Sequence, residues 1–244
     1  MANPYFSHLF KKEEAYTDVN CATYKGITLK TLLFLVLTVA SGIASCVLFW
    51  EAEFETLISL LGVSLILSLV SGLFGRWSVN ASGLWGTIYS LSNGFLLGLV
   101  SLAFEEQVRG IVLVAVLSTI GVFVSMLVLF ASGIIRNKGK LVSFFISIGT
   151  AVIVISLITL IMSIIPGLSF VFDNIGILLA IEAVFLLFAS ISLLMDFTEA
   201  TMYVQNGFDK KYEWYCAFGL LVSIIYIYLR ILRILALISK FKKD

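Results

Sequence analysis

Residues 175–238 read IGILLAIEAVFLLFASISLLMDFTEATMYVQNGFDKKYEWYCAFGLLVSIIYIYLRILRILALI. Two long apolar runs, Ile175–Met195 and Trp214–Ile238, flank a short polar segment. Each run is long enough for a helix rising 1.5 Å per residue to cross roughly 30 Å of hydrocarbon. The stretch therefore predicts a helical hairpin that crosses a membrane twice.

The same hairpin contains ionisable side chains within or beside its apolar runs. Glu182 and Asp196 both lie in the first helix. Glu213 lies at the edge of the second helix, and Arg230 and Arg233 lie inside it. An ionisable group surrounded by hydrocarbon is costly and usually marks a functional position. We therefore expect any mechanism to involve this hairpin.

The whole chain has the composition of an integral membrane protein. Of its 244 residues, 60% are hydrophobic and 13% are charged, whereas soluble domains carry about 25% charged residues. No segment shows the alternating polar pattern of a membrane β-barrel, and lipid otherwise admits only helices. Seven apolar runs of span length occur, at Ile27–Trp50, Leu57–Gly75, Leu84–Phe104, Gly110–Ile135, Leu141–Pro166, Ile175–Met195 and Trp214–Ile238. These features predict an all-α polytopic membrane protein with seven transmembrane helices.

Three regions follow from this count: an N-terminal cytoplasmic tail (1–26), a seven-span membrane domain (27–239) and a basic C-terminal tail (240–244). The first apolar run is too long for a signal-peptide core, so we expect an uncleaved tail. With the N-terminus inside, most Lys and Arg residues fall in inner connections and the outer loops carry only Arg109, as the positive-inside rule requires. The odd count then puts the lysines of SKFKKD outside. A re-entrant last helix would remove that conflict.

The predicted outer loops are acidic, and their carboxylates form a candidate mouth of the protein. Such a mouth would concentrate cations. A solvated rim that merely obeys the orientation rule explains the same residues, so both interpretations stay open. The acidic residues of this mouth are Glu51, Glu53, Glu55, Glu105 and Glu106.

Signals for catalysis and for nucleic-acid binding are absent from the sequence. The net charge of +1 lacks the basic excess that neutralises phosphates. His8 is the only histidine and lies in the tail, so no Ser/His or Cys/His pair is predicted within the membrane. The three cysteines show no CxxC spacing, which argues against a zinc site. We expect that the protein is not an enzyme and that it needs no cofactor beyond transiently bound calcium. The identity of any bound metal stays open.

Depth along the two helices predicts an outer pair of charges. Glu182 lies seven residues after Ile175, roughly 10 Å below the outer edge. Arg230 lies sixteen residues after Trp214 on the returning helix, roughly 24 Å from the inner edge and so at a similar depth. We predict that Glu182 and Arg230 form a salt bridge, with snorkelling of Arg230 and Arg233 to the outer interface as the alternative.

A second polar layer is predicted near the inner edge. Asp196 lies fourteen residues after Glu182, which leaves the two about 40° apart on one helix face. On the returning helix this depth corresponds to the segment from Glu213 to about Ser223. The end of the second span, at Arg76, lies at the same level.

Motifs along nearly the whole chain resemble the transmembrane Bax inhibitor motif family, in particular its YccA-like bacterial branch. The resemblance rests on motifs that occur in the family's order and spacing. They are ANPYF (2–6), YKGITLKT (24–31), IYSLSNGFLLGLVS (88–101), RGIVLVAVLSTIGVF (109–123), LLMDF (193–197), EWYCAFGL (213–220) and YLRILRIL (228–235).

This resemblance implies a bundle in which the seventh helix is central and is wrapped by the other six. It also implies an integral protein of the bacterial inner membrane. Family members are associated with a pH-sensitive calcium leak, with suppression of cell death in eukaryotes, and with modulation of a membrane protease in bacteria.

The resemblance also implies roles for individual residues. An aspartate at the end of the family's sixth helix matches Asp196 in LLMDF, and Arg76 matches a partner arginine by position. The second acid of the family, in the seventh helix, is not found here: its place falls near Ser223 or on Arg230, depending on the alignment. Asn93 stands where relatives often carry a further acid, which makes it a possible member of the inner layer with Glu213 and Ser223. A proton-sharing acid pair is therefore not expected.

Two functional hypotheses follow. The first is a pH-sensitive cation (calcium) leak channel in which Asp196 acts as a pH switch and Arg76 as its latch. The guanidinium would stabilise the ionised carboxylate, whereas the apolar residues of LLMDF would favour the neutral form. The second is a non-conducting regulator that binds and modulates another membrane protein, such as a membrane protease, and it rests on the missing second acid and the exposed N-terminal tail.

Overall fold

The computed structural model describes residues 21–51, 54–131, 146–155 and 174–241. These residues form seven helices and no β-strand. A single turn of 3₁₀ helix, Val79–Ala81, joins the second helix to the third. The helices are α1 (Tyr24–Glu51), α2 (Phe54–Trp77), α3 (Ser82–Gln107), α4 (Ile111–Ala131), α5 (Ile146–Ile155), α6 (Ile175–Gln205) and α7 (Lys211–Phe241).

Six of these helices, all except α5, are long and apolar enough to cross a membrane. The prediction of an all-helical polytopic membrane protein is thereby confirmed for the described residues. Most of the fifth predicted span, Leu141–Pro166, lies outside them, and α5 is the part that is described. The seventh transmembrane crossing therefore stays a prediction.

The helices α6 and α7 are longer than the apolar runs that predicted them. Helix α6 continues ten residues past Met195, and α7 begins three residues before Trp214. Backbone hydrogen bonding does not depend on side-chain polarity, so a helix can continue beyond the apolar segment that the sequence marks. The predicted polar crossing is thus reduced to a short turn, Asn206–Lys210, in which Gly207 has a positive φ of 64°.

Helix α7 has the largest buried share among the six long helices. It packs against α1, α2, α3, α4 and α6. Phe218, Leu221, Ile227 and Leu232 along its length are fully buried. Side chains placed on α7 are therefore brought next to residues from most of the described bundle.

Helices α1 and α3 approach each other closely through small residues. A Cβ atom at Gly94 or Gly98 of α3 would collide with the backbone of α1. Cys46 Sγ lies 3.6 Å from the carbonyl oxygen of Gly98, and Ser41 donates a 2.6 Å hydrogen bond to the carbonyl of Leu91. Small side chains leave room for this close approach. Such packing matters in a membrane, because lipid provides no hydrophobic force between helices.

The bundle has two ends, which we name by their connections. The turn end contains the α6–α7 turn and the start of α1, joined by a 2.7 Å hydrogen bond from the amide of Ala22 to the carbonyl of Phe208. The opposite end contains the junction of α3 with α4 and the start of α6.

Helix α7 is continuous from Lys211 to Phe241, so the re-entrant last helix considered above is not found within it. Its residues after Gly219 include neither Gly nor Pro, which are the usual causes of a sharp break.

Candidate functional site

Three polar clusters lie along α7 inside the bundle. We name each by its carboxylate: the Glu213 cluster at the turn end, the Asp196 cluster further along, and the Glu182 cluster towards the opposite end. Ser223, which marks the second cluster on α7, follows Glu213 by ten residues, or about 15 Å of helix. Arg230, which marks the third, follows Ser223 by seven residues, or about 10 Å.

The Asp196 cluster joins α2, α6 and α7. Asp196 is 4% exposed. The Ser223 hydroxyl donates a short hydrogen bond to its Oδ2, and Arg76 Nη1 lies 3.5 Å from its Oδ1. The structure thus brings Asp196 and Arg76 together, as the sequence predicted. Of the two positions considered for a second acid, Ser223 contacts Asp196, whereas Arg230 contacts Glu182.

Gly219 provides the space for this ion pair on α7. A Cβ atom at that position would lie 2.9 Å from Arg76 Nη1 and 3.0 Å from Asp196 Oδ1. Arg76 occupies the last turn of α2, where a cation also interacts favourably with the helix dipole. Its side chain is 49% exposed. The pair therefore connects a buried carboxylate to the surface of the bundle.

The surroundings of Asp196 combine apolar packing with few other charges. Leu193, Leu194 and Phe197 are buried on the same helix. Among the described residues, the titratable groups besides Arg76 that are close enough to affect Asp196 electrostatically are Glu199 on α6 and, on α7, Tyr215 and Cys216. Arg76 is thus the cation of this cluster, and a change in the charge of Asp196 would alter mainly the contact between α2 and α6.

The Glu182 cluster joins α6 to α7 by two ion pairs. Glu182 is 3% exposed. Arg230 Nη1 lies 3.0 Å from its Oε2, and Arg233 Nε lies 3.0 Å from its Oε1. The structure brings Glu182 and Arg230 together at the distance the sequence predicted. It adds Arg233, which lies three residues after Arg230 and so on the same face of α7.

Arg230 is also held by aromatic side chains. Its Nη2 donates a 2.9 Å hydrogen bond to the hydroxyl of Tyr226. Its guanidinium lies over the ring of Phe185, 4.2 Å from the centroid. These contacts position Arg230 inside the bundle, and the snorkelling alternative does not describe it.

The Glu213 cluster attaches the start of α1 to the start of α7. Glu213 is 1% exposed, and its Oε2 accepts a 2.6 Å hydrogen bond from Lys30 Nζ. Its Oε1 accepts from the amide and the hydroxyl of Thr23, both at 2.9 Å. Lys30 also lies over the ring of Trp214, 4.7 Å from the centroid.

Glu213 was predicted to belong to the inner layer with Ser223 and Asn93. The structure instead separates it from the Asp196 cluster and gives it Lys30 as its partner, because α1 starts beside the first turn of α7. Asn93 is buried on α3, one turn after Tyr89, whose ring packs edge-on against Phe218 of α7. Ser223 is the residue of this set that contacts Asp196.

The structure describes only part of the predicted acidic mouth. Glu53 lies outside the described residues, and Glu51 is the last residue of α1. Glu55 and Glu106 are exposed. Glu105 accepts hydrogen bonds from the amides of Gly110, at 2.5 Å, and Val112, at 3.1 Å. Its carboxylate therefore caps the start of α4.

Within the described ranges no three His, Cys, Asp or Glu residues come together in a way that would hold a metal ion. The three carboxylates that name the clusters, Glu213, Asp196 and Glu182, are instead each paired with at least one cation.

A model of the family described as Bax inhibitor 1 like matches residues 3–240 of the chain. The match covers nearly the whole sequence and includes all three clusters. Comparison with curated proteins gave no match.

Proposed function

Because this chain belongs to the Bax inhibitor 1 like family, we propose that it is a pH-sensitive cation leak pathway that contributes to ion homeostasis, with calcium as the cation. One observation carries the proposal. A single buried carboxylate, Asp196, is held between a hydroxyl of the central helix and a half-exposed arginine at the end of α2.

In this proposal the Asp196 cluster acts as a latch. The contact with Arg76 requires an ionised carboxylate, so it is present at higher pH and is lost as the pH falls and Asp196 becomes protonated. Ser223 can remain bonded to either form, since a hydroxyl both donates and accepts. Acidification would therefore release the end of α2 from α6 and α7 while α6 and α7 stay together.

Calcium enters this proposal as a substrate that passes through. Calcium sites that hold the ion use six to eight oxygen ligands, and conduction requires binding that is weak enough to let the ion leave. Single carboxylates such as Asp196, together with the exposed acids of the mouth, suit a leak better than storage. Glu55 and Glu106 would raise the local cation concentration.

The test is calcium flux into liposomes that contain the purified protein. We expect calcium entry to increase as the external pH is lowered from about 8 to about 6, with protein-free liposomes as the control. If no calcium enters at any pH in this range, the leak proposal is wrong.

A second candidate is a non-conducting regulator that binds another membrane protein, such as a membrane protease. Ser223 favours it, because the position that would complete an acid pair with Asp196 carries a hydroxyl. Crosslinking in native membranes should then recover a protein partner, and removal of residues 1–20 should weaken that interaction. Recovery of no partner, together with an unchanged phenotype of the shortened chain, would remove its support.

We also propose that the protein belongs to the YccA-like bacterial branch and lies in the bacterial inner membrane with its N-terminus in the cytoplasm. Cys21 is exposed at the turn end and Cys216 is buried, while Cys46 is partly exposed and is replaced by Ser for this test. A membrane-impermeant maleimide should therefore label Cys21 in inverted membrane vesicles and leave it unlabelled in right-side-out spheroplasts. Labelling in spheroplasts would reverse the orientation.

A further inference from the structure

The Glu182 cluster contains two arginines and one carboxylate. Both oxygens of Glu182 are occupied, Oε2 by Arg230 and Oε1 by Arg233, each at 3.0 Å. Among the described residues the cluster therefore has one cation more than it has anions, in an apolar bundle. Such a charge is costly unless a further anion approaches it.

Arg233 is the member of the cluster that a ligand can reach. Its side chain is 58% exposed, compared with 19% for Arg230 and 5% for Glu182. Within the described ranges its ion pair with Glu182 engages Nε. This contact holds Nε near Glu182, and the two terminal amines form no hydrogen bond within the described ranges. They are the donors that a ligand can meet.

The donors of Arg230 are not exhausted either. Its Nη1 binds Glu182 and its Nη2 binds Tyr226. Its Nε is buried and meets no hydrogen-bond acceptor in the described part of the chain. The unused donor of Arg230 lies inside the bundle, so Arg233 carries the accessible donors of the cluster.

The position of Arg233 along the helix limits the kind of anion. It lies eight residues before Phe241, or about 12 Å from the end of α7. The residues that follow it, ILALI at 234–238, are apolar. A long side chain at this depth reaches the boundary between hydrocarbon and lipid headgroups. Phosphate groups of lipids lie at this boundary, and arginine side chains bind phosphate through paired N–H donors.

We propose that the Glu182 cluster is a binding site for a phosphate group, with Arg233 as its principal donor. A planar guanidinium presents paired N–H groups that match two oxygens of a phosphate. The phosphate of an anionic phospholipid and free inorganic phosphate share this chemistry. The inference does not depend on ion conduction, and a failed flux assay would leave it unaffected.

The experiment is native mass spectrometry of the delipidated full chain in a phosphate-free detergent buffer. The probes are phosphatidylglycerol, diacylglycerol with the same acyl chains, and inorganic phosphate added alone or as a competitor. Arg233→Gln is compared with the wild type. Lys240→Gln is the matched control, because Lys240 is an exposed cation on the same helix.

We expect the wild type and Lys240→Gln to retain phosphatidylglycerol in preference to diacylglycerol, and Arg233→Gln to lose at least about fivefold of that retention. If inorganic phosphate alone binds and displaces the lipid, the site is confirmed and its ligand is free phosphate. Equal retention by Arg233→Gln and the wild type would overturn the proposal, and so would an equal loss in Lys240→Gln. If Arg233→Gln does not fold, Arg233→Lys replaces it. That variant keeps the charge and should lose a smaller part of the retention, and unchanged retention would again overturn the site.

Discussion

Asp196 is a buried carboxylate with a hydroxyl on one oxygen and a guanidinium near the other. These two neighbours respond differently to protonation. The hydroxyl keeps a hydrogen-bond partner in both states, whereas Arg76 loses its counter-charge. The side chain can therefore change the attachment of α2 without breaking the contact between α6 and α7.

Replacing Asp196 by Asn should mimic the protonated state. The amide keeps an acceptor for Ser223 but offers no charge to Arg76. We expect the pH dependence between about pH 6 and 8 to disappear, with the variant fixed in the low-pH form of the wild type. The measurement is tryptophan fluorescence across this range, since Trp77 follows Arg76 directly, together with the flux assay.

Two controls make this test specific. Glu199→Gln removes the other nearby carboxylate, and His8→Gln removes the only imidazole of the chain. Both should retain the pH dependence. If Asp196→Asn retains it as well, the switch assignment is wrong, and Asp196 has a structural role only.

Replacing Ser223 by Asp should place a second carboxylate beside Asp196. Two adjacent carboxylates do not ionise independently and tend to share a proton. We therefore expect the single pH transition to become two steps that belong to the pair. Ser223→Asn is the matched control, because it has the same shape and does not ionise. Identical fluorescence profiles for the two variants would show that residue 223 does not couple to Asp196.

The hydrophobicity of the sequence predicted the position of the long helices. Runs of apolar residues predicted all six long helices, because crossing hydrocarbon demands length and apolar side chains whatever the neighbours. Depth along two antiparallel helices also predicted the meeting of Glu182 with Arg230. For Arg233 the sequence left pairing and snorkelling open, although its spacing of three residues puts it on the same face as Arg230.

The contact between α1 and α7 was not predictable in this way. Lys30 was interpreted only as one of the basic residues that set orientation, and its pairing with Glu213 spans 183 residues of chain. Lipid-facing and protein-facing sides of these helices are both apolar, so hydrophobicity does not tell which helices are neighbours. The packing of α1 beside α7 is what brings Lys30 and Glu213 together.

The contact between α1 and α3 leads to a prediction about small residues. A Cβ atom at Gly98 would lie 2.8 Å from the Cα of Gly42 and closer still to its carbonyl oxygen. Gly98→Ala should therefore push the helices apart and destabilise the protein by about 1–3 kcal/mol. Thermal unfolding in detergent measures the effect.

Gly121 on α4 provides the control, because a Cβ atom there would meet nothing within 4 Å. Gly121→Ala should be neutral or stabilising by about 0.5–1 kcal/mol, since alanine loses less conformational entropy in a helix. A destabilisation of Gly98→Ala no larger than that of Gly121→Ala would mean that the close approach is not important for stability.

The three clusters divide the bundle into regions with different tasks. Two of them join α6 to α7, and the Asp196 cluster adds α2. The Glu213 cluster instead joins α1 to α7 at the turn end, where the amide of Ala22 also bonds to the carbonyl of Phe208. We interpret it as the attachment that holds the first helix against the central one.

This interpretation predicts a strong coupling between Lys30 and Glu213. Lys30→Met keeps the length of the side chain but leaves Glu213, which is 1% exposed, without its cation. Removing one partner of a buried pair costs about 3–5 kcal/mol, and we expect the lower end, about 3 kcal/mol, because Lys30 is 14% exposed and water can compensate in part. Thermal unfolding of Lys30→Met should show this loss directly.

Adding Glu213→Gln and the double variant completes a double-mutant cycle. The double variant should be more stable than Lys30→Met, because Gln removes the uncompensated charge while its side-chain oxygen still accepts from Thr23. Additive losses in the cycle would show that the two residues act independently, and α1 would then be held to α7 by apolar packing alone.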